Sequence, residues 1–435
     1  MGKIGIIADD LTGANDSGVQ LVKKGLRSSV VFDLHPLSAG QRDMDALIMD
    51  TDSRGLNKNE AYEAVQKAAL FLKQNGFTHM YKKLDSTLRG NVGVEIEAVT
   101  SIFEPDFCII APAFPRIGRI TKDGIHYLHG VPVADTEVAK DPKSPVLDSS
   151  ICQLLESQTD QKVGLIRTAE LGSDLALWKS ELKRWKEIGV HWLVCDVETD
   201  EHLKTIASCI SSISERVVWV GSAGLAEYLP EELGLINSDP VKPVEVKGSD
   251  VLVVSGSLSS VSKKQISRLL EMDGMMGTEV DPLTVFEEDE QWERWKQTYV
   301  NKLLSAYQEG YQAVLYVDSS PENRRNTSEV GKRLGLSPTE ISNTISKGLG
   351  EIATEFLKQY SSVTGLVLTG GDTAKDVCRQ LGASGLELLK EIEPGIPLGQ
   401  LTGDVEKYII TKAGAFGTEN TLYHSVLALK GESNE

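Results

Sequence analysis

The first candidate site is a short acidic turn near the start of the chain. Residues 4–18 read IGIIADDLTGANDSG, in which an apolar run leads into the carboxylate pair Asp9 and Asp10 and then a Thr-Gly turn. This order is typical of a strand, a polar turn and a helix, and open parallel sheets bind ligands outside the carboxyl ends of their strands. Asp9 and Asp10 could therefore accept hydrogen bonds from a small polar molecule. Because Asp, Thr and Asn are also ordinary turn and capping residues, a purely structural role is the alternative.

A second polar turn combines cations with a carboxylate. Its residues are Lys82, Lys83, Leu84, Asp85, Ser86 and Arg89, and a nearby strand exit adds Asp52, Ser53 and Arg54. A carboxylate ligand needs a cation and hydroxyl donors, and a ligand hydroxyl needs an acceptor such as Asp85. Each cluster alone is compatible with a solvated surface. Their presence together with Asp9 and Asp10 favours a binding site.

Three turns in the second half of the chain have the composition of phosphate-binding turns. They contain Ser255, Gly256, Ser257 and Ser259; then Gly370, Gly371, Asp372 and Thr373; and finally Lys412, Gly414 and Gly417. Glycines let the backbone approach a phosphate closely, and free N–H groups at a helix start favour its negative charge. The spacing matches neither GxxxxGKS/T nor GxGxxG, so a nucleotide site would be of another type. If the three preceding strands are neighbours, the turns line one nucleotide-sized cleft.

The roles of some residues in these motifs stay open. The sequence also lacks the motifs of metal-dependent and nucleophilic catalysis. Asp372 could hold Mg²⁺ or simply cap its helix, and the serine-rich turn could be only a helix cap. His126 and His129 lack a third ligand in register, and no HExxH motif occurs, so no metal site is predicted. No GxSxG elbow or Cys/His nucleophile signature is present.

The turns must be positioned by strands and helices that alternate along the chain. From residue 1 to about 240, short β-branched runs alternate with amphipathic segments, which is typical of βαβ units and a parallel sheet. Residues 238–250 carry two prolines and several charges without helical periodicity, and we interpret them as an interdomain linker. The predicted fold class is α/β, with two α/β domains of mainly parallel sheets at 1–240 and 250–430 and the active site in the interdomain cleft.

One segment interrupts this alternation. Residues 111–146 are rich in Pro and Gly and mixed in charge, and a loop of this length is usually functional or disordered. Its aromatic and apolar residues argue against disorder. The segment is therefore either a loop that covers a substrate or a structural excursion.

Composition narrows the class of protein. The 435 residues are 40% hydrophobic and 25% charged, as in globular proteins, and the net charge of -18 disfavours nucleic acids and anionic membranes as partners. Five scattered cysteines without CxxC spacing predict reduced thiols. With no leader-like start and no long uncharged apolar stretch, we expect a cytoplasmic protein, and a homodimer is the default oligomer.

Taken together, the motifs resemble those of a known family. ADDLTGANDSG, KKLDSTLRGN, AFPRIGRITKDGIHYLHGVPV, SGS, LTGGDTA and KAGAFG occur in the order and spacing of the four-carbon acid sugar kinases, over nearly the whole chain. The resemblance implies an N-terminal domain that binds a sugar acid and a C-terminal domain that binds ATP. It also implies transfer of the γ-phosphoryl group to the 4-hydroxyl of a tetronate such as D-threonate, D-erythronate or, as an alternative, 3-oxo-tetronate.

The resemblance also implies roles for individual residues. Asp9, Arg54 and the segment from Lys82 to Asp85 would contact the sugar acid; Ser257 or Ser259, the turn from Gly370 to Thr373, and Gly414 would contact ATP. The chain has GGDT where GGET would also fit and KAGAFG where some members have KSGNFG, and both variants keep the glycines.

For the mechanism, we expect Arg54, Lys82 and Arg89 to bind the substrate carboxylate, while Asp85 or Asp9 orients or deprotonates the hydroxyl. Mg²⁺ would bridge the ATP phosphates. A sugar-acid dehydrogenase or aldolase would need a dinucleotide, Schiff-base or metal signature that the sequence lacks. A non-catalytic sensor of sugar acids and nucleotides is the remaining alternative.

Overall fold

The computed structural model describes residues 2–141, 144–236, 246, 250–403 and 405–432. The chain divides into two compact units, Met1–Val241 and Lys242–Glu435. Most of the predicted linker at 238–250 lies outside the described residues. None of the helices in the described part of the chain combines the length and apolar character that a membrane crossing demands. All five cysteines are free thiols, and four of them are buried.

The N-terminal unit is an α/β domain built on a parallel sheet. Its strands are β1 (Ile4–Ala8), β2 (Ser28–Val31), β3 (Ala46–Asp50), β4 (His79–Lys83), β5 (Phe107–Ala111), β6 (Arg119–Lys122), β7 (Ile125–Leu128), β8 (Val131–Pro132), β9 (Val163–Ile166), β10 (Trp192–Cys195) and β11 (Val217–Gly221). The main sheet has the order β2-β3-β1-β4-β11-β5-β10-β9, and every neighbouring pair is parallel. Its central strands β1, β4, β11 and β5 are almost entirely buried because both faces of such a sheet are covered.

Helices connect these strands, as the alternating sequence pattern predicts. They are α1 (Leu11–Lys23), α2 (Ala39–Arg42), α3 (Lys58–Gln74), α4 (Val92–Phe103), α5 (Ile151–Gln158), α6 (Thr168–Leu171), α7 (Leu175–Glu187), α8 (Asp200–Ser211), α9 (Ala223–Ala226) and α10 (Leu229–Glu232). The register pairs Ala8 with Asp50 on one side and with Lys83 on the other. The carboxyl ends of β3, β1 and β4 therefore lie side by side.

The segment at 111–146 is a small β-structure where the sequence suggests a loop. It contains the antiparallel sheet β6-β7-β8 and short 3-10 turns. Asp123 and Gly124, with φ of 49° and 75°, form the two-residue turn of the β6-β7 hairpin, as type I′ turns require. Their N–H groups donate to the Asp196 carboxylate at 2.9 and 2.8 Å, which fastens the hairpin to the domain.

The C-terminal unit is a second α/β domain. Its strands are β12 (Asp250–Ser255), β13 (Met275–Val280), β14 (Gln312–Val317), β15 (Val363–Thr369), β16 (Ala383–Glu393), β17 (Ile396–Gly403) and β18 (Tyr408–Lys412). Its helices are α11 (Ser260–Leu270), α12 (Asp289–Gln308), α13 (Pro321–Arg333), α14 (Pro338–Gln359), α15 (Gly371–Gln380) and α16 (Thr421–Lys430). The predicted α/β class with two mainly parallel sheets is confirmed.

The strand order of the C-terminal sheet groups the three candidate phosphate turns. The order is β13-β14-β12-β15-β18-β17-β16; the first five strands are parallel, β17 is antiparallel to β18, and β16 is antiparallel to β17. Ser255 pairs with Thr369, and Thr369 pairs with Lys412. The three turns therefore leave neighbouring strands at one edge of the sheet.

Candidate functional site

The polar turns of the N-terminal domain meet at the side chain of Arg54. Arg54 Nε lies 2.7 Å from Asp9 Oδ2, and Nη2 lies 3.1 Å from Asp9 Oδ1. Arg54 Nη1 lies 2.8 Å from Asp10 Oδ2, and Nη2 stands 3.7 Å from Asp85 Oδ1. One guanidinium thus joins residues that follow β1, β3 and β4. The structure brings together the candidates Asp9, Asp10, Arg54 and Asp85.

Asp85 is also held by its own turn. Arg89 approaches it with Nε at 2.8 Å and Nη2 at 2.9 Å, and the Thr87 hydroxyl donates to the same carboxylate. Burial would raise the pKa of Asp85, but the charges of Arg54 and Arg89 and these hydrogen bonds hold that pKa well below its usual range. Asp85 is therefore an ionised, fixed hydrogen-bond acceptor. Arg89 in turn lies 3.2 Å from Asp141, through Nη1.

The turn that carries Arg89 has an unusual backbone. Leu88 is buried and has a φ of 65°, a left-handed conformation that a leucine adopts only where its surroundings fix it. Gly90 has a φ of 94°, and a Cβ there would lie 3.1 Å from Arg54 Cγ. The turn is thus packed closely against Arg54.

Lys82 faces the interior of the domain. Its side chain is fully buried, and Nζ lies 2.7 Å from Glu95 Oε2 on α4. Nζ also donates to the carbonyl oxygens of Ile7, at 3.3 Å, and Lys83, at 2.8 Å. Its charge is therefore paired inside the domain. Asp9 is affected as well, because the charges of Arg54, Lys82 and Lys83 outweigh burial and lower its pKa.

Lys83 and Leu84 complete the second predicted turn. Lys83 Nζ donates to the Leu84 carbonyl at 2.8 Å, and the Leu84 side chain belongs to the hydrophobic core. Gly13 is the close neighbour of Lys83, because a Cβ there would lie 2.9 Å from its Nζ and 2.7 Å from Asp10 Oδ1. Asp10 caps α1 by accepting from Gly13 N at 2.8 Å. Asp10 thus has the capping role and also contacts Arg54.

The hairpin β6-β7 is attached beside Asp85 through a buried histidine. His126 Nδ1 lies 3.1 Å from Thr121 Oγ1, and Nε2 lies 3.0 Å from the Ser86 carbonyl. Burial lowers the pKa of His126 to about 4, so the ring is neutral at pH 7. His126 is therefore a structural link between the hairpin and the turn at 84–90.

The three turns of the C-terminal domain contact one another directly. Gly256 N donates to Thr369 O at 3.3 Å, and Gly370 N donates to Lys412 O at 2.9 Å. Ser259 Oγ, which also caps α11, donates to Gly414 O at 2.8 Å. These contacts assemble the candidates of all three turns into one surface.

Glycine is required at several positions of this surface. A Cβ at Gly414 would overlap Oγ of Ser257, and a Cβ at Gly256 would overlap Oγ1 of Thr373. Gly370 and Gly417 have φ of 102° and 83°. Gly370 precedes α15, so Gly371, Asp372 and Thr373 form the first turn of that helix. Close backbone approach and free helical N–H groups are the features that bind phosphate.

The side chain of Lys412 stabilises the third turn from inside the domain. Its Nζ donates to the carbonyl oxygens of Ala413, Gly414 and Phe416 at 2.9, 3.0 and 3.2 Å. Burial lowers the pKa of Lys412 to about 8. Its role is to shape the turn from inside the domain.

A cavity of about 240 Å³ adjoins the first of these turns. Gly256 and Leu258 form one wall, and the other lining residues come from the turn at 282–286 and from β14, α13 and α14: Pro282, Val317, Asp318, Asn323, Arg324, Thr327, Ser328, Pro338, Ile341, Ser342 and Ile345. Asp318 directly follows β14, the neighbour of β12. Its carboxylate accepts from Ser320 N at 2.8 Å and Asn323 Nδ2 at 2.7 Å.

Sequence reasoning missed the cavity and several polar partners. Asp318 had the strand-exit signal already used for Asp9, because it ends the apolar run AVLYVDSS. Glu95 and Asp141 had no such signal. They meet Lys82 and Arg89 only through tertiary structure.

Comparison with family models assigns the two halves of the chain. Residues 4–229 match the model described as "Sugar-binding N-terminal domain", and residues 252–422 match "Nucleotide-binding C-terminal domain". The acidic and arginine cluster lies in the first match. The three glycine- and serine-rich turns lie in the second.

Curated relatives cover nearly the full length. A D-threonate kinase of Salmonella typhimurium is 31% identical over 97% of this chain and 96% of its own. A D-erythronate kinase of Heliobacterium modesticaldum is 33% identical, covering 97% and 95%. A 3-oxo-tetronate kinase of Haemophilus influenzae is 27% identical, covering 96% and 97%.

Solved structures share the fold. A Haemophilus influenzae protein superimposes with a TM-score of 0.75 at 25% identity, covering 97% of this chain and 98% of its own. A Salmonella typhimurium protein reaches a TM-score of 0.82 at 23% identity, covering 98% and 99%. With both family models and full-length relatives in agreement, the chain belongs to the four-carbon acid sugar kinase family.

Proposed function

We propose that this protein is an ATP-dependent kinase that phosphorylates the terminal 4-hydroxyl of a four-carbon sugar acid, with D-threonate or D-erythronate as substrate. The observation that carries the proposal is the adjacency of β12, β15 and β18, which gathers three phosphate-type turns at one edge of the domain that matches a nucleotide-binding model. The N-terminal domain supplies a separate cluster of fixed carboxylates.

In the N-terminal domain, Asp9, Asp10 and Asp85 would accept hydrogen bonds from the substrate hydroxyls. Ionised carboxylates are pure acceptors with up to four acceptor sites, so they can serve Arg54 and a hydroxyl together. Because the pKa of Asp85 is low, Asp85 is a weak base. It would orient the attacking hydroxyl and take its proton late, which is sufficient for phosphoryl transfer. Asp9 is the second candidate for this role.

In the C-terminal domain, the three turns would bind the ATP phosphates. Ser257 and Ser259 offer hydroxyls, and Gly370, Gly371, Thr373, Gly414 and Gly417 offer backbone N–H groups or room for close approach. The cavity beside Gly256 would hold the nucleoside. Its apolar walls suit a base, and Asp318 at the end of β14 could accept from the ribose hydroxyls.

Mg²⁺ fits the donor set of this surface. Asp372, in the first turn of α15, is a carboxylate beside the proposed phosphate site, and Mg²⁺ is usually held by one or two carboxylates, phosphate oxygens and water. When bound, the ion would neutralise charge on the phosphates.

The negative charge of the N-terminal site bears on the choice of substrate between the two hydroxy acids and 3-oxo-tetronate. D-Threonate and D-erythronate carry a hydroxyl at carbon 3, whereas 3-oxo-tetronate has a carbonyl there, which accepts but cannot donate. A site lined by Asp9, Asp10 and Asp85 favours ligands that donate. This favours the hydroxy acids over 3-oxo-tetronate.

The test is an assay of ADP release with a panel of four-carbon acids. D-Threonate, D-erythronate, their L-isomers and 3-oxo-tetronate are compared, and phosphorus NMR locates the phosphate. We expect one of the D-hydroxy acids to give the highest kcat/KM and a 4-phosphate product. Tetronate binding without ATP consumption by any member would instead establish a sensor.

A further inference from the structure

A sugar acid brings a carboxylate into a site whose cations are already neutralised. Arg54 contacts Asp9 and Asp10 and stands near Asp85, and Arg89 contacts Asp85 and Asp141. Lys82, the third expected cation, is paired with Glu95 inside the domain. A carboxylate bound by any of the three would compete with an existing partner.

The excess of carboxylates in the cluster also opposes the binding of an anion. The two arginines, Arg54 and Arg89, face three carboxylates, those of Asp9, Asp10 and Asp85, so the carboxylates in these ion pairs outnumber the arginines by one. Like charges at close range oppose binding, and a buried site screens this repulsion poorly. A further cation is needed for an anionic substrate.

Two cations near this cluster have no carboxylate within 4.0 Å among the described residues: Lys83 and Arg119. Lys83 is almost completely buried, and its Nζ packs against Gly13 and donates to Leu84 O. Arg119 is partly exposed. Arg119 is therefore the more accessible of the two for a ligand.

Arg119 begins β6, the first strand of the hairpin that His126 attaches to the Ser86 carbonyl. This attachment holds the hairpin against the residue next to Asp85. The electrostatic environment agrees with that placement, because Arg119 interacts with the charges of Asp85, Asp16 and Arg89.

The guanidinium of Arg119 has donors to spare. Within the described residues, its side chain makes one hydrogen bond, from Nη1 to the Ile117 carbonyl at 2.8 Å. Its Nε is buried and has no acceptor in that part of the chain. A buried donor without a partner is unfavourable because it has lost its hydrogen bonds to water, so an incoming acceptor at this position relieves an existing penalty.

We propose that Arg119 binds the carboxylate of the sugar acid through its Nε edge. The inference rests on the proposed function and assigns to the hairpin, which the sequence left undecided, recognition of the acid end of the substrate. The charge of Arg119 is then what distinguishes a tetronate from a neutral four-carbon polyol. Asp9, Asp10 and Asp85 remain available for the hydroxyls.

The experiment compares a charged ligand with its neutral analogue. Binding of D-threonate or D-erythronate and of the corresponding tetronamide is measured by calorimetry without ATP, for the unmodified protein and for Arg119→Gln. We expect affinity for the acid to fall about 10- to 100-fold, in line with a lost charged hydrogen bond, and affinity for the amide to stay unchanged. Arg119→Lys, which keeps the charge but not the fork, should recover part of the affinity for the acid.

Arg116→Gln is the matched control. Arg116 lies in the same segment but pairs with Asp200 and Glu227, so its substitution should leave both affinities unchanged. An equal loss for acid and amide in Arg119→Gln, or no loss for the acid, would overturn the assignment. Circular dichroism verifies that each variant is folded.

Turnover is measured separately, so the two proposals can fail independently. If acid binding depends on Arg119 but no tetronate is phosphorylated, the kinase proposal is wrong and the Arg119 assignment stands. If a tetronate is phosphorylated and its binding does not depend on Arg119, the assignment is wrong and the kinase proposal stands.

Discussion

Arg54 and Asp9 form a bidentate ion pair, with Nε 2.7 Å from Oδ2 and Nη2 3.1 Å from Oδ1. Asp9 follows β1 and Arg54 follows β3, so the pair ties together the ends of two neighbouring strands. The same guanidinium reaches Asp10 and approaches Asp85. Arg54 is thus the common counter-ion of three carboxylates, two of which are buried.

Removing Arg54 should destabilise the domain as well as inactivate it. In Arg54→Ala the buried carboxylates of Asp9 and Asp85 lose a shared partner, and breaking a buried pair in this way costs about 3–5 kcal/mol. Urea unfolding measures the loss of free energy. Arg42→Ala, at an exposed position, is the control and should change stability by less than about 0.5 kcal/mol. Equal stability of the two variants would contradict the importance of the pair.

Asp85 should make stability sensitive to strong acid. Its pKa is held well below 3.8 in the folded protein, so Asp85 stabilises the fold above that pH, and the contribution is lost as pH falls through the folded pKa. We expect the free energy of unfolding to fall more steeply in the unmodified protein than in Asp85→Asn between about pH 5 and about pH 3. Parallel curves would show that Asp85 is not held in its ionised form.

The same variants test the proposed chemistry. Asp85→Asn or Asp9→Asn should lower kcat more than about tenfold, worth about 1.4 kcal/mol, if that residue orients the attacking hydroxyl. Affinity for ATP, measured by calorimetry, should be unchanged because both residues lie in the N-terminal domain. If neither variant loses turnover, the assignment of the acceptor is wrong.

His126 should add a separate sensitivity at milder pH. Its pKa falls from 6.5 to about 4 on folding, so the unfolded chain takes up a proton first and stability drops as pH falls between these values. The full difference is about 3 kcal/mol. His126→Gln should flatten the stability profile between about pH 6.5 and about pH 4 while Asp85→Asn leaves it in place. Urea unfolding at several pH values measures both.

Gly13 should tolerate no side chain. A Cβ there would lie 2.7 Å from Asp10 Oδ1 and 2.9 Å from Lys83 Nζ, so Gly13→Ala must displace one of them. We expect a rise in KM for the sugar acid of about tenfold or more with little change for ATP, because displacements near 1 Å matter at this scale. Gly55→Ala is the control, since a Cβ there meets nothing within 4 Å. Equal kinetics for both variants would remove Gly13 from the site.

Substitution of Lys412 should weaken the binding of ATP and leave the binding of the sugar acid unchanged. Lys412→Ala removes three hydrogen bonds that hold the carbonyls of the turn at 413–416. Each is worth about 1 kcal/mol, so KM for ATP should rise about tenfold or more while binding of the sugar acid is unchanged. Lys390→Ala, at an exposed position of β16, is the control. Unchanged affinity for ATP would place the nucleotide elsewhere.

The sequence predicted the ends of the strands well, because an apolar run followed by polar residues is a local pattern. An apolar run followed by Asp, Ser or Gly shows where a parallel strand ends, and Asp9, Asp85 and Gly370 all follow strands as expected. Strand neighbours are not local. The strands β12, β15 and β18 are adjacent in the sheet, although β18 lies far along the chain from β12. The sequence alone does not predict this adjacency.

Pairings between charged residues were beyond sequence reasoning for the same physical reason. Nothing near Lys82 in the chain shows that Glu95 on α4 will neutralise it, or that Arg89 will meet Asp141. The sequence predicts a covering loop or a structural excursion at 111–146 and does not show the hairpin at 119–128, because the hairpin strands are only four residues long. Its anchors, His126 and Asp196, act at a distance in sequence.

The position of β18 has a consequence for synthesis on the ribosome. This strand, Tyr408–Lys412, pairs with β15 and carries the last of the three turns, and it follows β12 and β15 in the chain. Translation therefore delivers the first two turns long before the third. In a nascent chain, the proposed ATP-binding surface therefore stays incomplete until β18 and the turn after it have been made.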